Sequence, residues 1–324
     1  MTEDDLIARF FAPLAGAGAL GLKDDAACVT PPPGCDLVVT VDALVAGVHF
    51  FADDPPDSIA RKALGVNLSD LAAKAADPLG YVLALALPTG TDETFLSTFA
   101  SGLGHAGMDH RIALLGGDTV RTPGPLTISV TAFGAVPTGR MVPRTGARPG
   151  DLIAVTGTVG DAALGLLLRT RPELFGERAP NATFAAHLRD RYLHPQPRNR
   201  LARALRTHAR AAMDVSDGLA GDCAKMLRAS GVTGILDLGA APFSPAARAA
   251  VAEAALFEAA VTGGDDYEIL LTLPPENWDA FRQDADSEGI PVTAIGRVEE
   301  GSEPLRLLRR GLPFVPARGS FSHF

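Results

Sequence analysis

The sequence predicts a mixed α/β (α+β) protein of two domains. Its 324 residues exceed the roughly 250–300 at which a single hydrophobic core stops growing. Short β-branched and leucine-rich runs, bounded by Gly and Pro, alternate with longer stretches of helical periodicity. Residues 137–150, PTGRMVPRTGARPG, are dense in Pro and Gly and read as a boundary. The expected organisation is an N-terminal domain over 1–137, a linker over 138–150 and a C-terminal α/β domain over 151–324.

In the first region, strands are expected at 37–42 (LVVTVD), 81–88, 112–117 and 126–136. A helix is expected over 58–76 with Ser58 as its N-cap. Its Leu64, Leu68, Leu71 and Ala75 form one stripe, and Asn67, Asp70 and Lys74 lie together on the adjoining face. In the second region, strands are expected at 151–157, 235–238, 267–274 and 292–298. Helices are expected near 160–169, 183–191, 199–209 and 217–230, with 171–182 as a surface loop.

Composition removes several functions. Hydrophobic residues make up 47% and charged residues 21%, which fits a globular chain and not a disordered one. No apolar run approaches the ~18 residues of a membrane span. The start, MTEDDLIARF, is acidic where a secretory signal is basic, so a cytoplasmic protein is expected. The three cysteines Cys28, Cys35 and Cys223 contain no CxxC pair, giving neither a disulfide framework nor a zinc site. A net charge of −9 argues against nucleic acid as a partner.

Carboxylates recur at expected turns and element ends: Asp24 and Asp25, Asp42, Asp70, Asp118, Asp214 and Asp217, then Asp265 and Asp266. Taken singly, each reads as a turn or capping residue. Taken together they suggest a site, since Asp42 and Asp118 both follow apolar runs, where open α/β sheets hold ligands. Converging acids repel by several kcal/mol per close pair at an effective dielectric of about 20. Only Lys23, Lys62, Lys74 and Lys225 are lysines, so the natural counter-charge is a hard divalent cation with oxygen ligands, Mg²⁺ first. Such ions complete their shells with substrate phosphates.

No GxxxxGK[ST] loop occurs. Gly116-Gly117 could bring backbone amides to a phosphate, as could a helix opening at Ser216-Asp217-Gly218. Arg144 is either a mobile phosphate ligand or a solvated loop arginine.

In chain order, DDAA, VDALVAGVHF, NLSDLAAKAADP, GGDT, the GR-x3-R stretch at 139–144, DVSDGL, GGDDYE and FSHF resemble the thiamine-monophosphate kinase family. That family sits in the superfamily of aminoimidazole ribonucleotide synthetase. The resemblance implies a two-domain aminoimidazole ribonucleotide synthetase-like fold whose N-terminal sheet pairs across a homodimer. It implies ATP-dependent phosphorylation of thiamine monophosphate to thiamine diphosphate. By position it implies magnesium ligands Asp25, Thr40, Asp42, Asp70, Asp118, Asp214 and Asp217. ATP contacts would be Gly117, Asp118, Arg144 and Ser216; substrate contacts would be His49, Asp265 and Phe321. The chain departs from the family pattern at Lys23, where glycine is usual. Val41 replaces a threonine, leaving metal contact there to backbone oxygen. Asp265 replaces glutamate and is one methylene shorter, and the ending GSFSHF also differs.

A phosphate oxygen of the acceptor is largely ionised at neutral pH, since its second pKa is near 6. No general base is therefore expected, which accords with finding no Ser-His-Asp or Cys-His constellation. Two rival readings remain at this level: another ATP-using superfamily member acting on a different small molecule, and a non-catalytic metal-binding dimer.

Overall fold

The structure, a computed structural model, describes residues 2–317 and 319–320. Phe321, an expected substrate contact, lies outside the described residues. The chain forms two compact units: Met1–Leu71 with Ala76–Arg140, and Ala72–Ala75 with Met141–Phe324.

The first unit runs α1 (Glu3–Leu6), β1 (Cys35–Val45), α2 (Pro56–Ala73), β2 (Asp77–Pro88), α3 (Glu93–His110), β3 (Ala113–Thr122) and β4 (Thr127–Pro137). Its sheet has the order β1-β4-β2-β3, antiparallel except for the β2–β3 pair. Alternation along β1 buries Val38 and Leu44 on one face and exposes Leu37, Val39 and Val41 on the other. Helix α2 lies on the face opposite Val41: Asn67 and Asp70 hydrogen-bond into β1, and Leu71 packs against Gly134 of β4.

Two expectations about this unit are corrected. Helix α2 begins at Pro56, whose missing N–H suits the first helical position, so Ser58 is a buried interior residue and not the cap. The helix is also buried nearly all round, taking Lys62, Asn67 and Ser69 inside with Leu64, Leu68 and Leu71. Second, β1 continues past Asp42 to Val45, and β3 past Asp118 to Thr122. Backbone pairing of Ala43–Val45 with Thr127–Ser129 extends the ladder whatever the side chains do, because these stand perpendicular to it. Both aspartates are therefore inside strands, not at strand ends.

The second unit runs β5 (Leu152–Thr156), α4 (Asp161–Thr170), α5 (Ala182–Leu193), α6 (Ala202–His208), β6 (Ala211–Asp214), α7 (Leu219–Ala229) and β7 (Thr233–Asp237). Then come α8 (Pro245–Ala250), α9 (Ala254–Thr262), β8 (Ile269–Leu273), α10 (Trp278–Ser287), β9 (Val292–Glu299), β10 (Arg306–Arg309) and β11 (Leu312–Pro313). Its seven-stranded sheet has the order β11-β10-β7-β9-β5-β8-β6. Strand β5 alternates between two cores: Ile153 and Val155 face the one containing Leu164, Met226 and Phe257, and Ala154 faces the one containing Leu271 and Phe281. The segment expected as a surface loop carries a 3₁₀ turn, Pro172–Arg178, whose Phe175 is buried in the first core.

Candidate active site

In the first unit, Thr40, Asp42, Asn67 and Asp70 come together where α2 crosses β1. The Thr40 hydroxyl donates to an Asp70 carboxylate oxygen, and Asn67 Oδ1 accepts the Asp42 N–H at 3.1 Å. Burial pushes the Asp42 carboxyl up to about 6, and the neighbouring Asp70 charge adds to the shift. Two close acids with oxygen neighbours form a donor set that suits a hard divalent cation, whose charge would relieve that repulsion. Val41 points to the other face by strand alternation, so its difference from the family's threonine leaves the side-chain donors of this cluster untouched.

A second cluster lies elsewhere in the same unit. Asp24, Asp25, Gly116, Gly117 and Asp118 line a cavity of about 360 Å³ with Leu115, within the range of small-molecule sites. The two glycines differ in purpose. A Cβ on Gly117 would stand 1.9 Å from the Leu83 carbonyl oxygen, so strand packing itself demands glycine there. Gly116 has open space where its Cβ would be, leaving that backbone approachable. Through the register, Asp42, Val130, Leu83 and Gly117 share one row, and Asp118 falls on the face of Ala84 and Ser129. Asp42 and Asp118 thus lie on opposite faces of the sheet, three strand spacings or roughly 14 Å apart.

In the second unit the DVSD and GGDDYE segments are stitched together. Asp265 N–H donates to Ser216 O and Tyr267 N–H to Val215 O, both at 2.9 Å, and Val215 N–H donates to Glu268 O at 2.8 Å. Gly264 permits this approach, since a Cβ would stand 2.1 Å from Ser216 O. Asp265 and Tyr267 adopt left-handed φ values of 73° and 52° and are half-buried, with Tyr267 Oη donating to Asp265 Oδ1 at 3.3 Å. Asp266 and Glu268 turn inward and are buried. Asp266 accepts the Gly160 N–H at the start of α4, at 2.7 Å.

Asp214 ends β6 and is buried. The Lys225 ammonium bonds to both Asp217 and Asp222, so one of the four lysines does supply counter-charge here. The Asp222 carboxylate also accepts the N–H groups of Asp217 at 2.9 Å and Gly218 at 3.1 Å. Those two amides, expected to face a phosphate, are engaged by the first turn of α7. Sequence reading assigned no role to Lys225, Asp222, Asn67 or Tyr267; the available signal was Asp222, an acid in the first turn of α7.

His49 accepts the Val45 N–H at Nδ1, 3.0 Å away, so its neutral tautomer carries the proton on Nε2. Arg144 is exposed. Among the described residues, no three His, Cys, Asp or Glu side chains are gathered as a metal-holding group. No helix among them is long and apolar enough to cross a membrane.

Comparison with known proteins gives a consistent likeness. Residues 23–136 match the family described as AIR synthase related protein, N-terminal domain, and residues 148–305 match its C-terminal domain. Thiamine-monophosphate kinase of Caulobacter vibrioides is 45% identical over 99% of this chain and 91% of its own length. The Escherichia coli K12 enzyme of that name is 40% identical over 99% and 98%. The crystal structure of thiamine-monophosphate kinase from Stenotrophomonas maltophilia superposes with a TM-score of 0.83 at 39% identity, covering 95% of each chain. AaThiL complexed with AMPPCP and TMP gives 0.77 at 31%, covering 93% of this chain and 91% of that one. HypE of E. coli, a hydrogenase maturation protein, shares the fold with a TM-score of 0.78 at 21% identity.

Proposed function

The chain belongs to the thiamine-monophosphate kinase family of AIR synthase related proteins, and from that premise we propose how its residues work. The activity is ATP-dependent phosphorylation of thiamine monophosphate to thiamine diphosphate. An ionised oxygen of the acceptor phosphate attacks the γ-phosphorus of ATP directly. The new P–O bond forms as the bond to the ADP oxygen breaks, and ADP leaves as the anion. No general base is needed, because the attacking oxygen has already lost its proton at neutral pH. The work of the protein is to hold two polyanions in line and offset their charge.

The pairing of Asp42 with Asp70 beside Thr40 carries this reading. These residues, with Asp25, Asp118, Asp214 and Asp217, would hold Mg²⁺. When bound, the ion supplies charge neutralisation for the transferring phosphoryl group. Gly117, Asp118, Arg144 and Ser216 take the nucleotide. His49 and Asp265 take thiamine monophosphate, with Phe321 at the far end of the chain assigned to the same substrate. His49 serves as a hydrogen-bond donor from Nε2 and not as a proton shuttle.

We further read the protein as a cytoplasmic homodimer, with residues 1–137 binding nucleotide and metal and pairing the two copies. Leu37, Val39 and Val41 are 42%, 54% and 61% exposed on one face of β1, an apolar stripe suited to a second copy. With Asp42 and Asp118 on opposite faces of one sheet, a site that uses both draws them from two copies.

Purified protein given ATP, Mg²⁺ and thiamine monophosphate should release ADP and thiamine diphosphate in equal amounts. With γ-labelled ATP, no labelled protein should form during turnover. A phosphoprotein that appears and decays at the turnover rate would overturn direct transfer.

A further inference from the structure

The mechanism leaves unused a buried arginine at the end of α5. Arg191 is 4% exposed, and its Nη2 donates both to Glu268 Oε1 at 3.0 Å and to the backbone oxygen of Asp266 at 3.3 Å. Its Nε and Nη1 are buried without an acceptor among the described residues. A buried guanidinium with unpaired donors is costly, and an apolar residue of similar volume often serves stability as well. Glu268 moreover has a second cation: Arg198 Nε donates to Oε2 at 2.7 Å, as does the Thr156 hydroxyl. Neutralising Glu268 therefore does not require Arg191.

Arg191 does something Arg198 does not, which is to grip a main-chain carbonyl. That oxygen belongs to the peptide joining Asp266 to Tyr267, and the orientation of this peptide sets how Tyr267 leaves the turn. Asp266 is held at its other end by the Gly160 N–H. Held at both ends, it lies between Asp265 and Tyr267, which adopt left-handed backbone conformations that non-glycine residues rarely adopt. The Tyr267 hydroxyl then reaches back to Asp265 Oδ1.

We infer that Arg191 is a positioning residue for the substrate-binding carboxylate of Asp265, acting through the Asp266 carbonyl and Tyr267 to aim it. The inference rests on the proposed contact between Asp265 and thiamine monophosphate.

The test is steady-state kinetics for both substrates in Arg191→Lys, Arg198→Lys, Asp265→Asn and the double variant R191K/D265N. Lysine keeps a charge beside Glu268 but cannot fork between that carboxylate and the carbonyl. R191K should raise KM for thiamine monophosphate about tenfold and leave KM for ATP within about twofold. R198K should leave both within about twofold, and the double variant should be no worse than D265N. An unchanged KM in R191K, an equal selective rise in R198K, or additive losses in the double variant would overturn the inference alone. An unchanged KM in D265N would overturn the reading of Asp265 and this inference with it. If R191K does not fold, Arg191→Gln is measured in the same way. Failure of both to fold makes the residue structural and also overturns the inference.

Discussion

His49 shows how a single contact limits a residue's role. With Nδ1 committed to the Val45 N–H, the neutral ring has only Nε2 as a donor. His49→Asn keeps an acceptor for Val45 and should raise KM for thiamine monophosphate more than it lowers the single-turnover rate at saturating substrate. A large fall in that rate would make His49 part of the chemical step. Asp266 offers a second test at this scale. Burial raises its carboxyl well above the usual range, opposed by the Gly160 N–H and by Arg191. A folded pKa above the unfolded one means that folding takes up a proton. The associated stability is complete below the unfolded value, near 3.9, and is lost as pH rises through the folded one. Asp266→Asn imitates the protonated form, so its melting temperature relative to the parent should climb between pH 4 and pH 8. A constant or falling difference would show that Asp266 is ionised in the fold.

Among the elements, β1 carries most of the argument, and its two faces have opposite duties. Thr40 and Asp42 face α2, and Leu37, Val39 and Val41 face away from it. Replacing both Val39 and Val41 by Asp should give a folded monomer by light scattering and circular dichroism. A parent that is itself monomeric, or a variant that stays dimeric, would remove the proposed interface. Strand β1 was legible because its apolar run is long, but its end was not: a carboxylate suggested a stop that backbone pairing with β4 ignores. Helix α3 escaped sequence reading because three glycines, Gly102, Gly104 and Gly107, dilute its pattern. Gly102 is there for packing, since a Cβ would stand 2.5 Å from the Asp57 carbonyl oxygen of α2. Its N-cap, Asp92 accepting the Phe95 N–H, was the available signal. Strand β6 was missed because AAMD is short and wholly buried, so it shows no alternation.

For the whole molecule, the acidic motifs were legible one by one, but their grouping was not. Sequence spacing put Asp42 and Asp118 in one expected site; the register of the sheet sets them on opposite faces and three strands apart, so that expectation now rests on the proposed second copy. Pairing of DVSD with GGDDYE, over about fifty residues of chain, depends on long-range strand contacts that local pattern cannot reveal. The two-domain expectation rests on chain length and the Pro- and Gly-dense stretch 137–150, and the family resemblance on motifs spread over the chain, so neither depends on where a strand or cap ends. What binds the account together is the proposed role of Asp42, beside Asp70, as a ligand for a cation. The most direct test is the single-turnover rate of thiamine diphosphate formation in Asp42→Asn at saturating ATP, Mg²⁺ and thiamine monophosphate. Loss of this charge should slow transfer by about a thousandfold or more while the variant remains folded. A folded variant that transfers within about threefold of the parent rate would contradict the account.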